Sequence, residues 1–130
     1  YIADPRYKLE LYRRFAGLDY GEKDDLLDEI IDRFGEPPEE VEVLWRVACL
    51  RALCRLLHIR GISVKPGELR ITFAENAAID PTALMKLISE QQQYMNFKSG
   101  VQAQLIFRTV KLKTDSLTWL EKNLPRLAFD

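Results

Sequence analysis

Between Val41 and Leu57 the chain reads VEVLWRVACLRALCRLL, and thirteen of these seventeen residues are apolar. On a helical wheel at about 100° per residue the four charges fall in two narrow groups, Glu42 with Arg46 and, roughly opposite, Arg51 with Arg55. A surface helix carries one apolar stripe and one broad polar face, whereas this one is apolar on two flanks. The pattern predicts a helix sandwiched between layers, with other helices on one side and a sheet on the other. It is too short and too charged to span a bilayer. Pro37-Pro38 followed by Glu39, Glu40 and Glu42 marks its start, and Arg51, Arg55 and Arg60 lie toward the negative end of its dipole. Trp45, with Val41, Leu44, Ala48 and Ala52 at helical spacing, is expected in the core. Cys49 and Cys54 are five apart, about 140° around the helix, so they cannot easily bridge each other or share a metal. They read as reduced core thiols of a reducing cytoplasm.

Other elements are placed by their start and stop signals. Asp4-Pro5 is an N-cap followed by proline at the first helical position. The helix it opens runs to about Ala16, with Leu9, Tyr12, Phe15 and Ala16 on one face. Its Arg6, Lys8, Arg13 and Arg14 could touch phosphates, but Glu10 interrupts them and no aromatic adds stacking, so a solvated face is favoured. A second helix spans about Glu22 to Phe34. Its apolar residues Leu26, Leu27, Ile30, Ile31 and Phe34 form a clean stripe, and Asp24, Asp25, Asp28, Glu29 and Asp32 cover the remainder. These carboxylates lack the cleft that acid–base catalysis needs; a continuous acidic recognition face is the better functional reading. After Gly61 the period changes to two. Ile62 and Val64 alternate against Leu69, Ile71 and Phe73 around Lys65-Pro66-Gly67-Glu68, a β-hairpin with a type II turn. Asp80-Pro81 opens a helix to about Gln93, with Leu84, Leu87 and Ile88 inward. Extended chain follows from Tyr94 to Lys98, then a Ser99-Gly100 turn and a strand over 101–110. Thr114-Asp115 cap a last helix that Pro125 ends. His58 stands alone between helix and hairpin and suits a structural or capping role.

The order ααα-ββα-ββα predicts an α+β fold: three N-terminal helices, about residues 4–58, packed on a ββαββα unit, about 59–130, with a small antiparallel sheet. A length of 130 residues suits one domain. The net charge of −1 provides no field to recruit nucleic acid or membrane, and there is no signal peptide or transmembrane run. A start without Met suggests a piece of a longer protein. No phosphate loop, nucleophile elbow, metal spacing or dinucleotide fingerprint occurs, so no enzymatic role, cofactor or metal is expected. Two rival classes stay open. One is a nucleic-acid-binding accessory module using Arg6, Arg13, Arg14, Arg46, Arg51, Arg55 and Arg60. The other is a small-molecule regulatory domain of βαβ type, which requires a pocket at the sheet that no polar cluster in the sequence marks.

Three runs, ELYRRFA, DEIIDRFGEPPEEVEVLWRVACLRALCRLLHIRGI and ITFAENAAIDPTALMKLI, carry a resemblance. The most specific piece is Ile31-Asp32-Arg33-Phe34-Gly35 followed by proline and an apolar helix. The chain, from Tyr1 to about Leu124, resembles the C-terminal domain of bacterial transcription-repair coupling factors. The resemblance implies a non-catalytic, autoinhibitory domain of a cytoplasmic, ATP-driven DNA translocase. ATP, RNA polymerase and the excision-repair protein UvrA would all be bound elsewhere in that protein. The domain would pack on the UvrB-like module of the same chain and mask its UvrA-binding surface until polymerase is engaged. By the same likeness, Glu29 and Asp32 fall where the family makes polar contacts to that module, with Asp25 and Asp28 on the same face. No direct nucleic-acid contact and no membrane are expected, and a monomer when isolated. Residues from Lys113 onward match less specifically and support no contact.

Overall fold

Asp4-Pro5 sets the first helix. In the computed structural model, which describes residues 1–110 and 112–129, α1 spans Pro5–Ala16 and the Asp4 carboxylate accepts from the Arg6 backbone N–H at 2.9 Å. A 3-10 turn at Tyr20–Glu22 leads directly into α2, Lys23–Phe34. Gly35 ends α2 with φ at 82° and its N–H on the Ile31 carbonyl at 2.8 Å. That left-handed conformation is one that side chains with a Cβ adopt only under strain. Helix α3 follows at Glu39–Leu57.

By its internal contacts the chain divides into two compact units, Tyr1–Leu53 and Cys54–Asp130. The core of the first joins Leu26 and Ile30 of α2, Leu11 and Phe15 of α1, and Ala48, Cys49 and Ala52 of α3, with Ile2 and Leu18 completing it. Small side chains on α3 let the neighbouring helices approach closely, since interaxial distance follows the side chains at the contact. The buried faces of α1 and α3 differ from those the pattern predicts. On α1 the buried pair is Leu11 and Phe15, while Leu9 and Tyr12 are 50% and 54% exposed. Both sets recur at helical spacing, so the pattern alone does not choose between them; the choice is made by what fits α2 and α3. On α3, Val43, Leu44 and Leu56 are exposed, so the helix is not enclosed on both flanks along its whole length. Trp45 is half-buried at the edge of the core, and its Nε1–H donates to the Lys23 carbonyl at 2.8 Å.

The second unit contains β1 (Ile59–Lys65), β2 (Glu68–Phe73), α4 (Pro81–Glu90), β3 (Met95–Lys98), β4 (Gln104–Arg108) and α5 (Ser116–Asn123), then a 3-10 turn at Leu124–Leu127. The four strands form one antiparallel sheet in the order β1-β2-β4-β3. The architecture is therefore α+β, in the predicted element order. Gly67, with φ at 79°, is the third residue of the Pro66-Gly67 turn, as a type II turn demands. Pairing puts Leu69, Phe107 and Met95 in one row and Ile71, Leu105 and Phe97 in the next. Partners directly opposite share a face, and this face is the buried one. Helix α5 covers it through Trp119, whose ring centroid lies 4.7 Å from that of Phe107. Helix α4 is fastened beside the C-terminal turn by the Asp80 N–H on the Leu127 carbonyl at 2.8 Å and by an Arg126–Glu90 ion pair at 2.7 Å. Val64, opposite Leu69 but on the edge strand, is 56% exposed.

His58 joins α3 to β1 without an intervening loop. Among the described residues it alone of the non-glycines has a left-handed φ, 57°. Its Nδ1–H donates to the Asn76 carbonyl at 3.1 Å, and its own carbonyl accepts from the Ala74 N–H at 3.1 Å. The ring is thereby a structural link, in keeping with the reading of the sequence.

Trp45→Ala is expected to destabilise the chain by about 3 kcal/mol, the low end for deleting a large aromatic, because one side of the ring is open. Trp45→Phe, which keeps most of the burial and removes the donor, is expected to cost about 1 kcal/mol. Urea denaturation checks both, and equal losses for the two variants would contradict the hydrogen bond's role.

Candidate functional site

Burial of Leu26 and Ile30 fixes the rotation of α2 and so decides which residues face out. At about 100° per residue, Asp25, Asp28, Glu29 and Asp32 fall within a 100° arc opposite the apolar stripe. Asp25, Asp28 and Asp32 are exposed and Glu29 is half-buried. The four predicted residues thus lie on one face, but they are not equivalent. Glu29 is ion-paired with Arg14 of α1, and Arg33 stands 3.8 Å from Glu29 and 3.9 Å from Glu10. Glu10, Arg33, Glu29 and Arg14 form an alternating ladder between α1 and α2, with side chains 40–52% exposed. Arg33 also lies over the rings of Tyr7 and Phe34, 5.3 and 5.2 Å from their centroids. Among the described residues Asp25, Asp28 and Asp32 carry no ion pair, so three carboxylates on this face are available to an outside cation. Nothing in the sequence of α2 alone distinguishes Glu29 from the other three; the signal is on α1, where Arg14 follows Glu10 by one turn and can reach across.

Two of the basic residues considered for nucleic acid are engaged in ion pairs. Arg6 is paired with Asp4 at 2.9 Å and Arg14 with Glu29. Arg55 and Arg60 belong to the second unit. The Arg6 hydrogen bonds hold the Asp4 carboxyl below its ordinary range. The small-molecule alternative requires a pocket at the sheet, which no polar cluster in the sequence marks. The second unit has a cavity of about 370 Å³ bounded by Phe107 and Arg108 at the end of β4, the end of α4, the segment before α5, and α5 itself. Its polar groups come from five separate stretches of chain, which is why no single run announces it. The unit is also all antiparallel rather than βαβ.

Neither cysteine is disulfide-bonded. Burial pushes the Cys54 thiol up from 9.0 to about 11, outweighing the favourable charge of Arg55. The thiolate is the nucleophilic form, so Cys54 is chemically quiet. Among the described residues no group of three or more His, Cys, Asp or Glu is placed to hold a metal, and no helix is long and apolar enough to cross a membrane.

Fold and face together define a small α+β domain with an acidic helix turned outward. The TRCF domain family matches residues 1–84, and the chain belongs to that family. The Bacillus subtilis transcription-repair-coupling factor is 38% identical over 90 residues, 67% of this chain and 8% of that protein. The Escherichia coli protein of the same name is 27% identical over 128 residues, 98% of this chain and 11% of that protein. The chain thus spans about a tenth of the length of such relatives. A crystal structure of the C-terminal domain of a transcription-repair coupling factor shares the fold, with a TM-score of 0.74 at 23% identity, covering 98% of this chain and 84% of that one.

Glu29→Lys is expected to cost about 1 kcal/mol, because it sets a third cation against Arg14 and Arg33, whereas Asp32→Lys should stay within about 0.5 kcal/mol. Chemical denaturation separates them, and equal costs would contradict the ladder. For Cys54 the folded state favours the neutral thiol. Its contribution to stability is therefore fully present below pH 9 and lost as the pH rises through about 11. Iodoacetamide at about pH 9, where an ordinary thiol is half ionised, should alkylate Cys54 far more slowly in the folded chain than in urea. Equal rates would show an unshifted thiol.

Proposed function

We propose that this chain is the C-terminal domain of a bacterial transcription-repair coupling factor and acts there as an autoinhibitory interaction domain. Its acidic α2 face docks on the UvrB-like module of the same protein and covers the surface that binds UvrA. Engagement of RNA polymerase by other parts of the protein releases the contact. The supporting observation is the set of three exposed carboxylates, Asp25, Asp28 and Asp32, that no cation of the described chain neutralises. Family membership supplies the setting, a long protein of which this chain is about a tenth. On this reading the chain has no catalytic centre or cofactor of its own, ATP is used elsewhere in a cytoplasmic DNA-repair protein, and the partners are proteins rather than DNA or membrane.

Glu29 takes a different part from the one the resemblance assigns it alone. Its charge is already shared with Arg14 and Arg33, so Asp28 and Asp32, one turn apart, become the main contacts and Glu29 buttresses the helix. Carboxylate contacts to arginine are charge-assisted, yet at exposed positions each contributes only about 0.2–1 kcal/mol. Reversal adds repulsion to the lost attraction.

In a full-length parent protein, Asp28→Lys with Asp32→Lys should raise UvrA capture in the absence of polymerase by about tenfold, the equivalent of 1.4 kcal/mol. Pull-down of UvrA by wild type and variant measures this, with circular dichroism confirming the fold. A folded variant that remains as closed to UvrA as wild type would remove these residues as the latch.

A further inference from the structure

The cavity in the second unit has a charge pattern that packing does not explain. Its floor is apolar, made by the buried rings of Phe107 and Trp119. Four cations line it, Arg108, Lys113, Lys122 and Arg126, against the single carboxylate of Glu90. Arg126 is held by Glu90 at 2.7 and 3.0 Å and by the Asn123 Oδ1 at 3.0 Å, which also draws the Glu90 carboxyl below its ordinary range. That pair is neutral. Among the described residues Arg108, Lys113 and Lys122 have no carboxylate partner, in a chain whose net charge is −1; the Arg108 guanidinium donates to the neutral Gln93 carbonyl. Lys122 in the last turn of α5 is favoured there by the helix dipole, but the dipole accounts for neither Arg108 nor Lys113, which lie outside that helix. Like charges around one hollow repel, and the low-dielectric floor strengthens that repulsion. An anion seated between them would reverse the sign of the energy. The volume of about 370 Å³ falls at the lower end of small-molecule sites, about 300–1,000 Å³.

We propose that this cavity binds a small phosphorylated molecule, with its phosphate groups held by Arg108, Lys113 and Lys122. A phosphate carries about 1.5–2 negative charges at pH 7, so one or two of them match three cations. Arginine and lysine are the side chains that recognise phosphate, the one by a planar fork and the other as a point charge. A chain of nucleic acid is disfavoured because the cations converge on one hollow instead of tracking along a groove. The site lies wholly within the second unit and does not depend on the docking of α2.

The test is a titration of the ¹⁵N-labelled 130-residue chain with sodium pyrophosphate at constant ionic strength, followed by NMR. Sodium chloride, citrate and an acidic peptide serve as separate arms. The expected result is saturable shifts confined to Arg108, Lys113, Lys122 and their neighbours with pyrophosphate. Lys113→Gln with Lys122→Gln, both at exposed positions, should weaken binding at least about tenfold while the remaining spectrum shows an intact fold. Each single substitution should show part of that loss. Shifts no larger than those with chloride would overturn the proposal, as would equal affinity in the double variant. Tighter binding of citrate or the acidic peptide would also overturn it, because it would mark a carboxylate site.

Discussion

The burial of Leu26 and Ile30 is the contact on which the first unit depends. Both are almost completely enclosed, and both need α1 and α3 to be enclosed at all. Ala48, Cys49 and Ala52 give α3 a flat side against which the other two helices settle. Once α2 has its apolar stripe inward, geometry alone sends Asp25, Asp28 and Asp32 outward. Core formation and display of the acidic face are therefore one event, and a substitution that rotates α2 would disturb both. Among the four acidic positions, those substitutions that leave the stripe alone can be read as tests of the face.

Much of this was legible from local signals. Asp4-Pro5 and Asp80-Pro81 place two helix starts to the residue, because an N-cap oxygen and a prolyl φ act within one turn. Pro66-Gly67 fixes the hairpin and, through it, the register that puts Val64 opposite Leu69 and Ile62 opposite Ile71. The α2 stripe is legible because it has only one apolar face to offer. On α1 two candidate faces compete, and the losing pair, Leu9 and Tyr12, is distinguished from Leu11 and Phe15 only by a partner far along the chain. The same limit hides the ladder from Glu10 to Arg14 and the cation-lined cavity. Charges at 10, 14, 29 and 33, or at 90, 108, 113, 122 and 126, converge through tertiary structure, which periodicity does not encode.

The two units also handle their charges differently. In the first, α1 and α2 alternate sign across their seam, so that Arg14 and Arg33 find carboxylates within the unit. In the second, Arg126 is matched with Glu90 and, among the described residues, the other cations at the same hollow are not. Surface pairs of this exposure contribute little to stability, and their larger effect is on orientation. Each one holds a long side chain in one place and thereby determines which neighbouring charges stay available.

His58 has a consequence for how force would pass through the second unit. Many helix-to-strand junctions carry several loose residues that absorb rotation. Here the last turn of α3 is followed at once by β1, and the junction is clamped to the segment after β2: Ala78 N–H to the Leu57 carbonyl at 2.9 Å, Ala74 N–H to the His58 carbonyl, and the imidazole to Asn76. A pull or twist on that final helical turn has no slack to take up. It is delivered directly to β1 and, across the ladder, to β2, so the helix end and the sheet edge move as one stiff lever.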